Sequence, residues 1–128
     1  MIDHIDHIVL TTRDRQGCIR FYTEVLGMRL VSFRTPTEER FALSFGNQKI
    51  NVHEWGREFT PRAHVAAPGT LDLCFMAAVP LEEVMTKLER MGIPLLDGPV
   101  MKTGATGPIR SVYVRDPDLN LIEISVSV

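Results

Sequence analysis

A chain of 128 residues with 45% hydrophobic content has the length of one ordinary domain and can bury a sizeable core. Its formal net charge of −2, with no cluster of Lys and Arg, offers no field for a phosphate backbone and argues against nucleic acid as a partner. Met1-Ile2-Asp3-His4 lacks a signal-peptide start and no apolar run reaches membrane-spanning length, so a cytoplasmic protein without a membrane partner is expected.

Ile5 to Thr11 alternates as a strand, with Ile5, His7, Val9 and Thr11 on one face and Ile8 and Leu10 on the other. Asp14 can cap a helix whose stripe is Cys18, Phe21, Tyr22, Val25 and Leu26, and Gly27 can stop it. Met28 to Arg34, Phe41 to Phe45 and Lys49 to Glu54 read as three further strands, the last two joined at Gly46-Asn47. Residues 56 to 69, with Pro61 and Pro68, read as a connector.

A second strand-helix unit follows, with a strand over 71 to 78 and a helix entered at Pro80, striped by Leu81, Val84, Met85, Leu88 and Met91, and stopped at Gly92. Strands are then expected over 94 to 101, 109 to 115 and 120 to 127, with a glycine-rich loop at 103 to 108 and a turn at Asp116-Pro117-Asp118. His7 to Asp72 and Gly27 to Gly92 are both separated by 65 positions (72 − 7 and 92 − 27), so the chain repeats one β-α-β-β-β unit. The expected fold is α+β: two βαβββ modules, about 1–55 and 70–128 joined by a connector of about 56–69, in one domain. Their sheets would form a curved, partly open mixed cleft with helices on the convex side.

On the last strand the two-residue period turns Glu123 away from the helix, as it does Asn51 and His53 on the fourth. A carboxylate there is costly unless paired, hydrogen-bonded or on a metal. His7 with Glu123 could hold a divalent ion such as Ni, Zn, Mn or Fe. Equally, His7 could hydrogen-bond Glu123 in a metal-free polar pocket, and periodicity does not separate the two. Cys18 and Cys74 form no close pair and read as small buried apolar residues. Tyr113 shares a face with Ser111, and Lys102 and Arg110 flank the glycine-rich segment; solvated surface charge and an anion-holding cleft rim are both open for them.

Asp6-His7-Ile8-Val9-Leu10, Phe21-Tyr22-Thr23-Glu24-Val25-Leu26-Gly27-Met28 and Arg115-Asp116-Pro117-Asp118-Leu119-Asn120-Leu121-Ile122-Glu123 together resemble the vicinal oxygen chelate superfamily of glyoxalase I, bleomycin-binding proteins and extradiol dioxygenases. Phe45 to Glu54 and Asp72 to Phe75 resemble its small glyoxalase-domain, lactoylglutathione-lyase-like or virulence-associated subgroup. The resemblance implies a homodimer, a small oxygen-bearing substrate chelated to a divalent ion, and His7, Asp72 and Glu123 as metal ligands, with Glu123 also catalytic. Asn51 stands where glyoxalase I has glutamate and Asp72 where it has histidine, while Leu119 replaces a turn glycine. Asn51, His53, Tyr113 and Arg110 are further candidate cleft residues. The activity implied is a metal-dependent lyase or isomerase of the glyoxalase type. A metal-free small-molecule sequestering protein is the alternative, followed by a ring-cleaving dioxygenase.

Overall fold

The sequence repeat folds as two compact units, Met1–Thr70 and Leu71–Val128, in a computed structural model that describes all residues from Met1 to Val128. The first module runs β1 (His7–Thr12), α1 (Arg15–Arg20), β2 (Arg29–Arg34), β3 (Glu39–Phe45) and β4 (Gln48–Glu54). The second runs β5 (Asp72–Met76), α2 (Leu81–Arg90), β6 (Asp97–Gly104), β7 (Gly107–Arg115) and β8 (Leu121–Ser127). Each makes a four-stranded mixed sheet, ordered β1-β4-β3-β2 and β5-β8-β7-β6. The opening strand lies parallel to the closing one in both modules, and all other neighbours are antiparallel. The α+β class and the βαβββ grammar stand as expected. No helix is long and apolar enough to cross a membrane.

The local signals act as their chemistry requires. Asp14 Oδ1 accepts from the Gly17 N–H at 3.0 Å and so caps α1. Beyond Arg20 the helix widens into a π-helical stretch, Phe21–Val25, in which the Leu26 N–H reaches the Phe21 carbonyl at 3.1 Å. Thr23 Oγ1 donates back to the Ile19 carbonyl at 2.6 Å, a bond that competes with regular helical pairing. Gly27 then ends the segment at φ 76°, a conformation strained for any other common residue.

Alternation gives each sheet one buried apolar face. In the first module Leu10, Leu43, Ile50 and Val52 are buried, as are Cys18, Phe21 and Tyr22 of the helical segment. In the second, Val112, Val114, Ile122 and Ile124 are buried with Leu81 and Leu88 of α2. Each such aliphatic side chain contributes about 1.5–3 kcal/mol when fully buried. The opposite faces carry the polar groups together with exposed apolar side chains, Val9, Val31 and Phe33 in the first module and Met76 in the second.

Register in the second module is set by the turn before β8. Asp116 Oδ1 accepts from the Asp118 and Asn120 N–H groups, both at 2.9 Å, and Asp116 Oδ2 accepts from Asn120 Nδ2 at 2.8 Å. Asn120 Oδ1 in turn accepts from the Leu71 N–H at 2.9 Å, so the buried Asn120 ties the start of β5 to the start of β8. That tie brings Asp72 opposite Leu121 and Cys74 opposite Glu123.

Two segments differ from the expected strands. β6 begins at Asp97, and its pairing with β7 shifts register between Asp97 and Val100. At Gly98, where φ is 99°, a Cβ would lie 2.5 Å from the Ser111 carbonyl oxygen, so only glycine lets the strands approach there. The glycine-rich 103 to 108 segment is no open loop, because Gly104 pairs with Gly107 and the strands run into a tight hairpin.

Candidate functional site

On the polar face of the second module, Glu123 sits at the centre of a hydrogen-bonded cluster. Its Oε2 accepts from Ser111 Oγ at 2.9 Å, Ser125 Oγ at 3.1 Å and Cys74 Sγ at 3.3 Å. Tyr113, its cross-strand partner, also hydrogen-bonds the carboxylate. Ser111 and Ser125 are themselves cross-strand partners and lie 2.7 Å apart, fixing the hydroxyls against each other.

These contacts set the protonation states. Burial pushes the Glu123 carboxyl up, but the hydrogen bonds from Tyr113, Ser111, Cys74 and Ser125 outweigh it and hold it below the usual range. The Tyr113 phenol, hydrogen-bonded to that anion, is pushed up to about 12. Burial raises the Cys74 thiol as well, so it stays a neutral donor near pH 7. Cys74 is an exposed member of this cluster, which corrects the expectation of a buried apolar residue.

The polar face of the first module is arranged differently. His7 Nδ1 lies 2.8 Å from Asp6 Oδ2, and the carboxylate can only accept, so Nδ1 is the nitrogen that donates, which points the ligating role to Nε2. That hydrogen bond holds the Asp6 carboxyl below its ordinary value. Further along, Asn51 Oδ1, His53 Nδ1 and Arg40 Nε are buried without a hydrogen-bond partner. Phe59, from the connector, meets the His53 ring edge-on at 5.1 Å and lies 4.0 Å from the Arg40 guanidinium carbon. Burial, then the Arg40 charge, holds the His53 imidazole below its ordinary range and therefore neutral near pH 7.

The modules place their polar pairs by one rule. Asn51 lies opposite Val9, two residues after His7, and Glu123 lies opposite Cys74, two residues after Asp72. His7 with Asn51 and Asp72 with Glu123 are thus the same diagonal pair in two copies. The first pair offers an imidazole nitrogen and an amide oxygen and the second two carboxylates, donor types that suit a divalent ion such as Ni, Zn, Mn or Fe. No group of three or more His, Cys, Asp and Glu residues gathers in metal-holding proximity, so what each module presents is a pair.

The other expected site residues divide by face. Tyr113 belongs to the Glu123 cluster. Arg110 does not: its Nη1 donates to Glu82 Oε1 of α2 at 2.7 Å, on the side where Val112 and Val114 are buried, and a cleft-rim role gives way to a helix-sheet ion pair. Lys102 Nζ lies 5.7 Å from the Tyr113 ring. Ser111, Ser125 and Cys74 were not expected as partners of Glu123, although the two-residue period does put them on its face. Arg40 and Phe59 carried no such signal.

A separate groove of about 280 Å³ in the first module is lined by Arg15, Phe41, Glu54, Arg57 and Phe59 among others. Its charges are matched internally, Arg15 to Glu39 at 3.8 Å and to Glu54 at 3.6 Å, and Arg57 to Glu54 at 3.9 Å.

Two βαβββ modules with polar pairs on matching strands define a glyoxalase-like class of protein. Residues 4–124 match the Glyoxalase/Bleomycin resistance protein/Dioxygenase superfamily, and the chain belongs to it. It is 51% identical over 125 residues to virulence protein STM3117 of Salmonella typhimurium, covering 98% of this chain and 85% of that protein. The crystal structure of STM3117 superposes with a TM-score of 0.95, covering 100% of this chain and 99% of that one. A glyoxalase domain-containing protein, RDO1 of Mycosarcoma maydis, is 50% identical over 121 residues, spanning 94% of this chain and 66% of that protein. Two more distant structures share the fold alone. A lactoylglutathione lyase from Agrobacterium tumefaciens is 23% identical with a TM-score of 0.73, covering 99% and 96% of the two chains. TnmS3, an antibiotic binding protein from Streptomyces sp. CB03234, is 19% identical with a TM-score of 0.76, covering 99% and 98%.

Proposed function

We propose that the chain is a divalent-metal-dependent lyase or isomerase of the glyoxalase type, acting on a small oxygen-bearing substrate, with His7, Asp72 and Glu123 as metal ligands. The observation that carries this reading is the shared diagonal register of His7/Asn51 and Asp72/Glu123, with His7 Nδ1 donating to Asp6 and the ligating role left to Nε2. A bound Ni, Zn, Mn or Fe ion would supply Lewis acidity toward the substrate's oxygens. The reading carries with it a cytoplasmic homodimer, as the resemblance implies.

The residues themselves have defined parts. Glu123 stays anionic at neutral pH because four donors hold it so, and it acts catalytically through that charge. The same bonds make it a weak base, and Asn51 has no basic group, so the glutamate-driven proton transfer of glyoxalase I is not reproduced at either position. Asn51 contributes a neutral oxygen.

The test is thermal unfolding of wild type and His7→Ala after chelation and after adding back Mn, Fe, Ni or Zn. The wild type should lose stability on chelation and regain it with one of these ions, and His7→Ala should respond to none. An unresponsive wild type contradicts the proposal.

A second reading, a metal-free binding protein, is favoured by Glu123 Oε2 already holding three donors within its own module. It predicts ligand-induced stabilisation that survives a chelator and is indifferent to His7→Ala.

A further inference from the structure

Three groups converge on a single oxygen of Glu123. Ser111 Oγ, Ser125 Oγ and Cys74 Sγ lie 2.9, 3.1 and 3.3 Å from Oε2. Resting on the metal reading above, we propose that Ser111, Ser125 and Cys74 are positioning residues that turn the Glu123 carboxylate so that it holds the divalent ion through Oε1 alone.

The lone pairs decide which oxygen is left. A carboxylate oxygen offers about two acceptor sites, and three donors already crowd those of Oε2, so no site remains there for a cation. Oε1 is the oxygen that these donors leave. The two hydroxyls are completely buried, belong to cross-strand partners of β7 and β8, and lie 2.7 Å apart, so they act through Glu123 and not on a substrate. Cys74 comes from β5, opposite Glu123, and its sulfur is also 3.3 Å from Ser125 Oγ. The carboxylate is therefore gripped from β5, β7 and β8 at once, and rotating it breaks three hydrogen bonds together.

The first module supplies the contrast. Asn51 stands at the equivalent place, but its neighbours on β1 and β3 are Val9 and Ala42, which have no side-chain proton to give, and Asn51 Oδ1 has no donor. The donors thus accompany the carboxylate, which has two oxygens to be told apart, and are missing around the amide, which has one. Hydrogen-bonded partners of a ligating carboxylate fix its orientation, and losing one typically weakens metal binding about 10- to 100-fold.

The test begins with Mn, Fe, Ni and Zn titrated separately into metal-free protein, and the tightest-binding ion is carried forward. Infrared difference spectra with and without that ion are recorded on protein carrying isotope-labelled glutamate, which separates Glu123 from Asp72, and Glu123→Gln identifies the Glu123 bands. The wild type should show the widely split carboxylate stretches of binding through one oxygen. Ser111→Ala and Ser125→Ala should each weaken the ion at least about tenfold and narrow the splitting toward binding through both oxygens. Cys74→Ala, at an exposed position where folding is not at stake, should move both readouts the same way by less, because a thiol is a weak donor. Cys74→Ser keeps a one-proton donor there and should restore them. A wild type that binds the ion through both oxygens, or Ser111→Ala, Ser125→Ala and Cys74→Ala proteins with wild-type affinity and bands, would overturn the positioning role and leave the metal reading standing. A wild type that takes up none of the four ions would overturn the metal reading and the positioning role with it.

Discussion

Asn51 and Glu123 stand at one position in two copies of a module, opposite Val9 and Cys74, yet the Asn51 amide oxygen has no donor while Glu123 Oε2 has three. The frame is repeated and the chemistry is not. In the second module the serines of β7 and β8 surround the central anion with donors. In the first, the corresponding group is a neutral amide whose oxygen is buried without a donor.

The Tyr113–Glu123 hydrogen bond predicts a pH dependence at the alkaline end. The folded phenol holds its proton up to about 12, above the ordinary value of 10.0, so this contribution to stability is complete below pH 10 and is lost as pH rises toward 12. Urea denaturation from pH 9 to 12 should show a decline that Tyr113→Phe lacks. An identical decline in the variant would remove Tyr113 as its source.

Asn120 should be among the most sensitive polar positions. It is buried, donates to Asp116 and accepts from Leu71, so Asn120→Ala strands the Leu71 N–H and removes one donor from Asp116, and should cost roughly 1–3 kcal/mol by urea denaturation. A cost below about 0.5 kcal/mol, typical of a surface change, would show that the tie between β5 and β8 is not needed.

Leu119 adopts φ 69° with an exposed side chain, in a turn where a left-handed backbone favours glycine. Leu119→Gly should raise stability by about 0.5–1 kcal/mol, the relief of strain exceeding the entropy that glycine adds to the unfolded chain. A net loss in chemical denaturation would mean that the leucine packs usefully.

The modules were legible because alternation, Asp14, Gly27 and Gly92 act within a few residues and the 65-residue echo repeats them. The same two-residue period also placed Arg110 on the face opposite Ser111 and Tyr113, and strict use of it would have read Arg110 as a helix-facing residue. It likewise placed Cys74 with Asp72 and Glu123, where composition alone suggested burial. Arg40 and Phe59 were not legible, because Phe59 reaches His53 only through the path of an aperiodic connector. The π-helical widening after Arg20 was hidden as well, since Cys18, Phe21, Tyr22 and Val25 suit a regular helix equally.

Metal ligation by Glu123 is decided by elemental analysis of freshly purified wild-type and Glu123→Gln protein. The wild type should hold one divalent transition metal ion at near-stoichiometric level, and most of it should be lost when the Glu123 carboxylate becomes a neutral amide. Wild-type protein without metal above background, or equal metal in both proteins, would contradict it.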